Sequence, residues 1–232
     1  MNNIRGFRDF GVDILVKLGG SLLVKNDDIS QLGALLAEAG RKHRIVVFPG
    51  GGPIDNYIEE VDAEWHFPGD IHHQLCARAQ DQTGLMFSAK CPGSGVFTRP
   101  VELGAILDSK RVAIMLPMEQ IISLDVFARV WEITSDSMAA WFANFFSARR
   151  FAILTNVPGI RWPFEEGNYL SQIDTQTLSE LGRTSVDECL AAFMAKHSMS
   201  CSVLDGRDVD NLAKWIDDKP HQGTTILPVI PA

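Results

Sequence analysis

The sequence predicts an α/β fold with a largely parallel central sheet, on three observations. Short apolar runs that end in glycine or proline alternate with stretches whose apolar residues recur at helical spacing. No internal repeat, low-complexity segment or linker breaks that alternation, so residues 1–232 read as a single domain. The composition agrees, since 46% hydrophobic and 22% charged residues are ordinary for a globular chain long enough to bury a core.

The elements follow in order. Ile14-Leu15-Val16-Lys17-Leu18 is a strand that runs into Gly19-Gly20-Ser21. Asn26-Asp27-Asp28 starts a helix whose Leu32, Leu35, Leu36 and Ala39 share a face, and Gly40 closes it. A strand at 45–48 leads through Pro49 into Gly50-Gly51-Gly52, and Pro53 opens a helix carrying Ile54, Tyr57, Ile58 and Val61. The loop Trp65-His66-Phe67-Pro68-Gly69 precedes a helix over about 70–87, and residues 92–100 read as a turn-rich connection. A short helix at 101–108 and a strand at 112–116 follow, stopped by Pro117. Thr134-Ser135-Asp136-Ser137 opens a helix through Phe142 and Phe145. The strand Phe151-Ala152-Ile153-Leu154 exits at Thr155-Asn156-Val157-Pro158-Gly159, and a polar loop surrounds residues 165–168. Helices near 174–181 and 186–197, a strand at 201–204, a helix reaching Asp217 and a sheet-closing strand at 223–226 complete the chain.

The bulk numbers exclude several classes. A net charge of −8 argues against a nucleic-acid partner. No apolar run approaches membrane-spanning length, and residues 1–12 lack a signal-peptide core. Cys76, Cys91, Cys189 and Cys201 are dispersed, which reads as free thiols in the cytoplasm rather than a zinc site.

Two strand-to-glycine exits in the first quarter of the chain suggest two anion-binding mouths on one sheet edge, where ligands of such sheets sit. Backbone N–H groups at Gly19, Gly20 and Ser21 and at Gly50, Gly51 and Gly52 can face anionic oxygens, and Lys17 adds a full positive charge. Asp136 is by default a first-turn acid favoured by the helix dipole; it is also placed to orient Lys17 beside phosphates in transfer. His72 and His73 are adjacent, so one is expected at the surface and the other, His73, in a substrate pocket. Trp131 is a core residue or a pocket wall next to Thr134 and Ser135.

Four segments in this order carry a resemblance. Val16-Lys17-Leu18-Gly19-Gly20-Ser21, Pro49-Gly50-Gly51-Gly52, Ile133-Thr134-Ser135-Asp136-Ser137 and Leu154-Thr155-Asn156-Val157-Pro158-Gly159 resemble the amino acid kinase superfamily. The resemblance implies a three-layer α/β/α sandwich, with an acceptor lobe over about 12–150 and a nucleotide lobe over about 151–228. It implies ATP and Mg²⁺ as cofactors, a homo-oligomer, phosphate contacts at Lys17 and the glycines, and nucleotide contacts at Thr155, Asn156 and Gly159. Residues 131–137, 184–188 and 204–207, with the segment His73-Gln74-Leu75-Cys76-Ala77, are similar to the aminomethyl-furanmethanol phosphate kinase group of methanofuran-type cofactor biosynthesis. Its members convert a phosphomonoester to a diphosphate, so His73, Trp131, Thr134 and Ser135 would face a small phosphorylated acceptor. Isopentenyl phosphate and fosfomycin kinases rank lower, because no histidine follows Gly52 closely. A non-catalytic storage protein of the superfamily is the alternative from another class.

Two departures from the superfamily stand out. Glu188 occupies the place of a second lysine, and the nucleotide turn lacks two acids. The pair Asp187-Glu188 then faces away from the phosphates, reaches Mg²⁺, or receives the aminomethyl group of the acceptor.

Overall fold

The computed structural model describes residues 10–24, 26–162 and 168–229. One eight-stranded sheet has the order β3-β4-β2-β1-β5-β7-β8-β6. Its strands are β1 (Ile14–Leu18), β2 (Ile45–Pro49), β3 (Gly95–Phe97), β4 (Ala113–Met115), β5 (Arg150–Thr155), β6 (Gln172–Asp174), β7 (Cys201–Asp205) and β8 (Thr224–Leu227). All pairings are parallel except β7 with β8. The helices are α1 (Asn26–Ala39), α2 (Gly52–Trp65), α3 (Gly69–Ser88), α4 (Pro100–Asp108), α5 (Met118–Leu124), α6 (Ser135–Phe145), α7 (Thr175–Leu181), α8 (Glu188–His197) and α9 (Val209–Ile216).

The alternation of side chains along each strand divides the interior into two cores. Leu15, Val46, Phe48 and Ile153 pack with Phe142 of α6 and Leu190 of α8. Ile14, Val16, Leu18 and Val47 pack on the other face with Leu32 and Leu36 of α1 and Trp215 of α9. The central strands β1, β2 and β5 are buried along nearly their whole length, which is why they read as unbroken apolar runs.

The expected elements are present, with four differences. The turn-rich connection at 92–100 contains β3, and three residues at an edge leave no periodic trace. Helix α5, of seven residues, and strand β6, of three, were also not expected. The strand at 223–226 pairs as β8 but does not end the sheet, because β6 lies outside it. Helix α8 begins at Glu188 rather than 186, since Asp187 is its N-cap. The polar loop expected around 165–168 falls mostly outside the described residues, as do residues 1–9 of the leader reading.

Candidate active site

Lys17 follows Leu15 by two residues, so it projects toward the core face that holds α6. There its Nζ lies 2.6 Å from Asp136 Oδ1, and both side chains are only 9% exposed. Register places Lys17 beside Phe48 of β2 and Ile153 of β5, at the centre of the sheet's carboxyl edge. Asp136 stands in the first turn of α6, with Thr134 as the N-cap whose hydroxyl accepts from the Asp136 N–H.

The two glycine turns meet beside this pair. A Cβ at Gly20 would stand 2.5 Å from Gly52 Cα, and one at Gly19 would stand 2.4 Å from the Leu154 carbonyl oxygen. Gly52 has φ +63°, a left-handed value that suits glycine, and it opens α2. The amides of Gly19 and Gly50 donate to Leu154 O and Leu18 O at 2.8 and 2.9 Å, so these two glycines bring chains together. N–H groups at the start of α2 have no intrahelical acceptor, with Gly51 as N-cap and the Asp55 carboxyl lying against it. Ser21 is exposed at the same mouth, and Ser135 lies against Gly50. Thr83 Oγ1 donates to Gly50 O at 2.5 Å and fixes the second turn from α3.

Asp187 holds the site from behind. Its carboxylate accepts six hydrogen bonds: from the Thr134 amide and hydroxyl, the Ser137 amide and hydroxyl, and the amides of Cys189 and Leu190. One buried carboxylate thus caps the starts of both α6 and α8, and the Asp187 N–H donates back to Asp136 Oδ2 at 3.3 Å. Burial, then the charge of Asp136, pushes the Asp187 carboxyl above its ordinary value, against the pull of Ser137 and Thr134. Both oxygens are committed to protein, which leaves Asp187 no place for Mg²⁺ or an amine. Glu188 is exposed and lines an adjoining cleft with Trp131, Glu132 and Arg183.

A cavity of about 170 Å³ opens between α2, α3 and the start of α6. His73, Trp131, Thr134 and Ser135 all line it, and so does His72. Both histidines are buried, so neither is the surface residue that adjacency suggested. His72 and Trp131 stack at 4.7 Å with their planes 18° apart, and Trp131 Nε1 donates to Asp62 Oδ2. Burial, then Arg129 and His72, lowers the His73 pKa from its ordinary value. Asp55, Glu59, Cys76, Gln80 and Arg183 also reach this cavity, and sequence reading missed all five. The available signal was spacing: 55 and 59 on α2, and 72, 76 and 80 on α3, each fall on one helical face.

On the far side of the glycines, Thr155 ends β5 opposite Asp205. The Asn156 carbonyl accepts from Arg207 at 2.6 Å. A Cβ at Gly159 would stand 2.4 Å from Thr224 Oγ1, so its close approach is to β8. Among the described residues no group of three or more His, Cys, Asp or Glu is placed to hold a metal ion. No helix among them is long and apolar enough to cross a membrane.

The sequence model of the amino acid kinase family matches residues 14–205. The chain belongs to the amino acid kinase family. As a member it is a phosphotransferase. It is 27% identical over 213 residues to the [5-(aminomethyl)furan-3-yl]methyl phosphate kinase of Methanocaldococcus jannaschii, covering 92% of this chain and 97% of that protein. It is 32% identical over 111 residues to an acetylglutamate kinase of Mycolicibacterium vanbaalenii, covering 44% of this chain and 36% of that one. The amino acid kinase fold is shared with the crystal structure of uridylate kinase from Archaeoglobus fulgidus, at a TM-score of 0.73 and 18% identity over 93% of this chain and 100% of that one. UMP kinase from Ureaplasma parvum gives 0.71 and 15%, over 93% and 99%.

Proposed function

We propose that this kinase moves the γ-phosphoryl group of ATP onto a phosphomonoester, forming a diphosphate, with [5-(aminomethyl)furan-3-yl]methyl phosphate as the acceptor. The observation that carries the chemistry is the buried Lys17–Asp136 pair where two glycine turns meet. An acceptor phosphate oxygen bonds to the γ-phosphorus while the bond to the bridging oxygen of ADP breaks. Such transfer calls on the protein for positioning and positive charge rather than covalent help. Lys17 neutralises charge on the transferring group, and Asp136 aims Lys17. N–H groups of Gly20, Ser21, Gly51 and Gly52 cradle phosphates, with Gly19 and Gly50 closing the turns around them. Thr155, Asn156 and Gly159 form the nucleotide side, in the C-terminal part of a single domain whose N-terminal part binds the acceptor.

Arg183, which lines both clefts from the segment between α7 and α8, supplies the second cation in place of the superfamily lysine. Lys196 sits in the last turn of α8 and is remote from that start. Among the described residues no group is placed to hold a metal ion by itself, so a magnesium ion would arrive on the nucleotide, held mainly by its phosphates with at most one or two carboxylates. The ion's contribution would be to offset phosphate charge. The acceptor's identity is supported by the relative that the chain matches over 97% of its length. The enzyme works as a homo-oligomer in the cytoplasm, in keeping with four cysteines that are all free thiols.

The test incubates purified protein with ATP, Mg²⁺ and the aminomethyl-furan phosphate, beside UMP and isopentenyl phosphate, and reads the products by ³¹P NMR. The furan phosphate should give a diphosphate and ADP at least tenfold faster than the other two. Lys17→Ala should cut that turnover by roughly two to three orders of magnitude, as loss of one preorganised donor does. Equal turnover of all three acceptors, or an active Lys17→Ala protein, overturns the reading.

A further inference from the structure

The cavity beside the glycine turns is lined by oxygens that lack donors. Gln80 is 2% exposed, yet its Oε1 has no hydrogen-bond partner among the described residues. Asp55 Oδ1 is likewise buried and without a donor. Glu59, one helical turn beyond Asp55 on α2, opens into the same space. On α3 the face formed by His72, Cys76 and Gln80 lies against these acids, with the Cys76 thiol beside the Asp55 carboxyl. Two unmatched buried acceptors with the exposed Glu59 carboxylate beside them call for a ligand rich in N–H donors, and two of the three groups are carboxylates, which favours a cation.

We infer that Asp55, Glu59 and Gln80 form an ammonium site that selects a primary amine on the acceptor. The inference rests on the proposed reading of this cavity as the acceptor pocket and adds the group by which the acceptor is chosen. The Asp55 carboxyl stands at the glycine turn itself, where a Cβ on Gly51 would come within 2.5 Å of Oδ2, and Glu59 lies one turn, about 6 Å, further along α2 at 1.5 Å per residue. A phosphate at the glycine turn and an amine on the second arm of a small ring fit that spacing. The stacked faces of His72 and Trp131 offer an aromatic wall for the ring between them.

The experiment measures binding to the resting protein of furan-2-ylmethylamine and of furan-2-ylmethanol, by ligand-observed NMR, in wild type, Asp55→Asn, Glu59→Gln and Gln80→Leu. Glu59 is exposed, so its variant keeps the test alive if a buried variant fails to fold. Wild type should bind the amine at least tenfold tighter than the alcohol. The ratio should fall to within about twofold in Asp55→Asn, and by at least threefold in Glu59→Gln and in Gln80→Leu. Equal binding of the two ligands by wild type, or an unchanged ratio in folded Asp55→Asn and Glu59→Gln, overturns the site. A second arm compares KM for the aminomethyl and hydroxymethyl furan phosphates. If wild type selects the amine but phosphorylates neither compound, the kinase reading fails while the ammonium site stands. If both compounds are turned over with equal KM, the site fails while the kinase reading stands.

Discussion

Asp187 shows how much one side chain contributes when its oxygens are fully used. An asparagine there keeps the shape but turns one acceptor into a donor, which then faces N–H and O–H groups of Thr134, Ser137, Cys189 and Leu190. Leaving a buried donor unmatched costs about 1–3 kcal/mol per group. Asp187→Asn should therefore lower the melting temperature by several degrees and reduce turnover, because the start of α6 carries Asp136. The magnesium concentration at half-maximal rate should stay as in wild type. Glu188→Gln, at an exposed position, should change stability by less than about 0.5 kcal/mol. A raised magnesium requirement in Asp187→Asn would mean that the carboxylate reaches the ion. Lys17 and Asp136 were legible in the sequence because each sits in a local pattern, a strand exit and a helix start. For Asp187 the sequence offered only solvent, Mg²⁺ or an amine as its partner, because the groups it does bind, at 134 and 137, are about fifty positions away in the chain. Asp55 and Gln80 are similar: they share a wall only once α2 packs on α3.

At the level of elements, the glycine turns act through contact between backbones. Gly20→Ala would press a methyl group into Gly52 Cα, and neither neighbour can give way without moving a turn. Overpacking of this kind costs about 1–3 kcal/mol. The variant should raise KM for ATP at least tenfold in steady-state kinetics, with a lower melting temperature. Gly104→Ala in α4, where nothing lies within 4 Å, should instead be stabilising by about 0.4–1 kcal/mol. If Gly20→Ala matched wild type, the two turns would not be in contact in solution. The same distinction explains which elements could be read beforehand. Strands β1, β2, β5 and β7 carry enough consecutive buried residues to make a pattern, whereas β3 and β6 have three residues each and depend on their neighbours for pairing.

Across the whole molecule, the outer side of α2 leaves a large apolar surface. Tyr57 is 66% exposed and Trp65 72%, and with Val61, Phe67 and Leu75 they line one broad groove. Apolar residues clustered in this way, with Glu60 and Glu64 among them, fit the proposed homo-oligomer. Light scattering after size exclusion should give at least twice the 25.6 kDa chain mass. Trp65→Asp with Tyr57→Ser should shift the protein toward a single chain. A wild-type monomer at micromolar concentration would remove the oligomer from the account.

The double cap at Asp187 has a further consequence, for how the enzyme can move. Helices α6 and α8 begin on the same carboxylate, so their first turns travel as one rigid body whenever the pocket breathes. Entry and release of ligands must then be gated elsewhere on its rim. The stretch 128–132, between the buried Phe127 and the cap at Thr134, is the part of the rim suited to swing, because Trp131 holds to α2 by one indole hydrogen bond and to α3 by one ring stack.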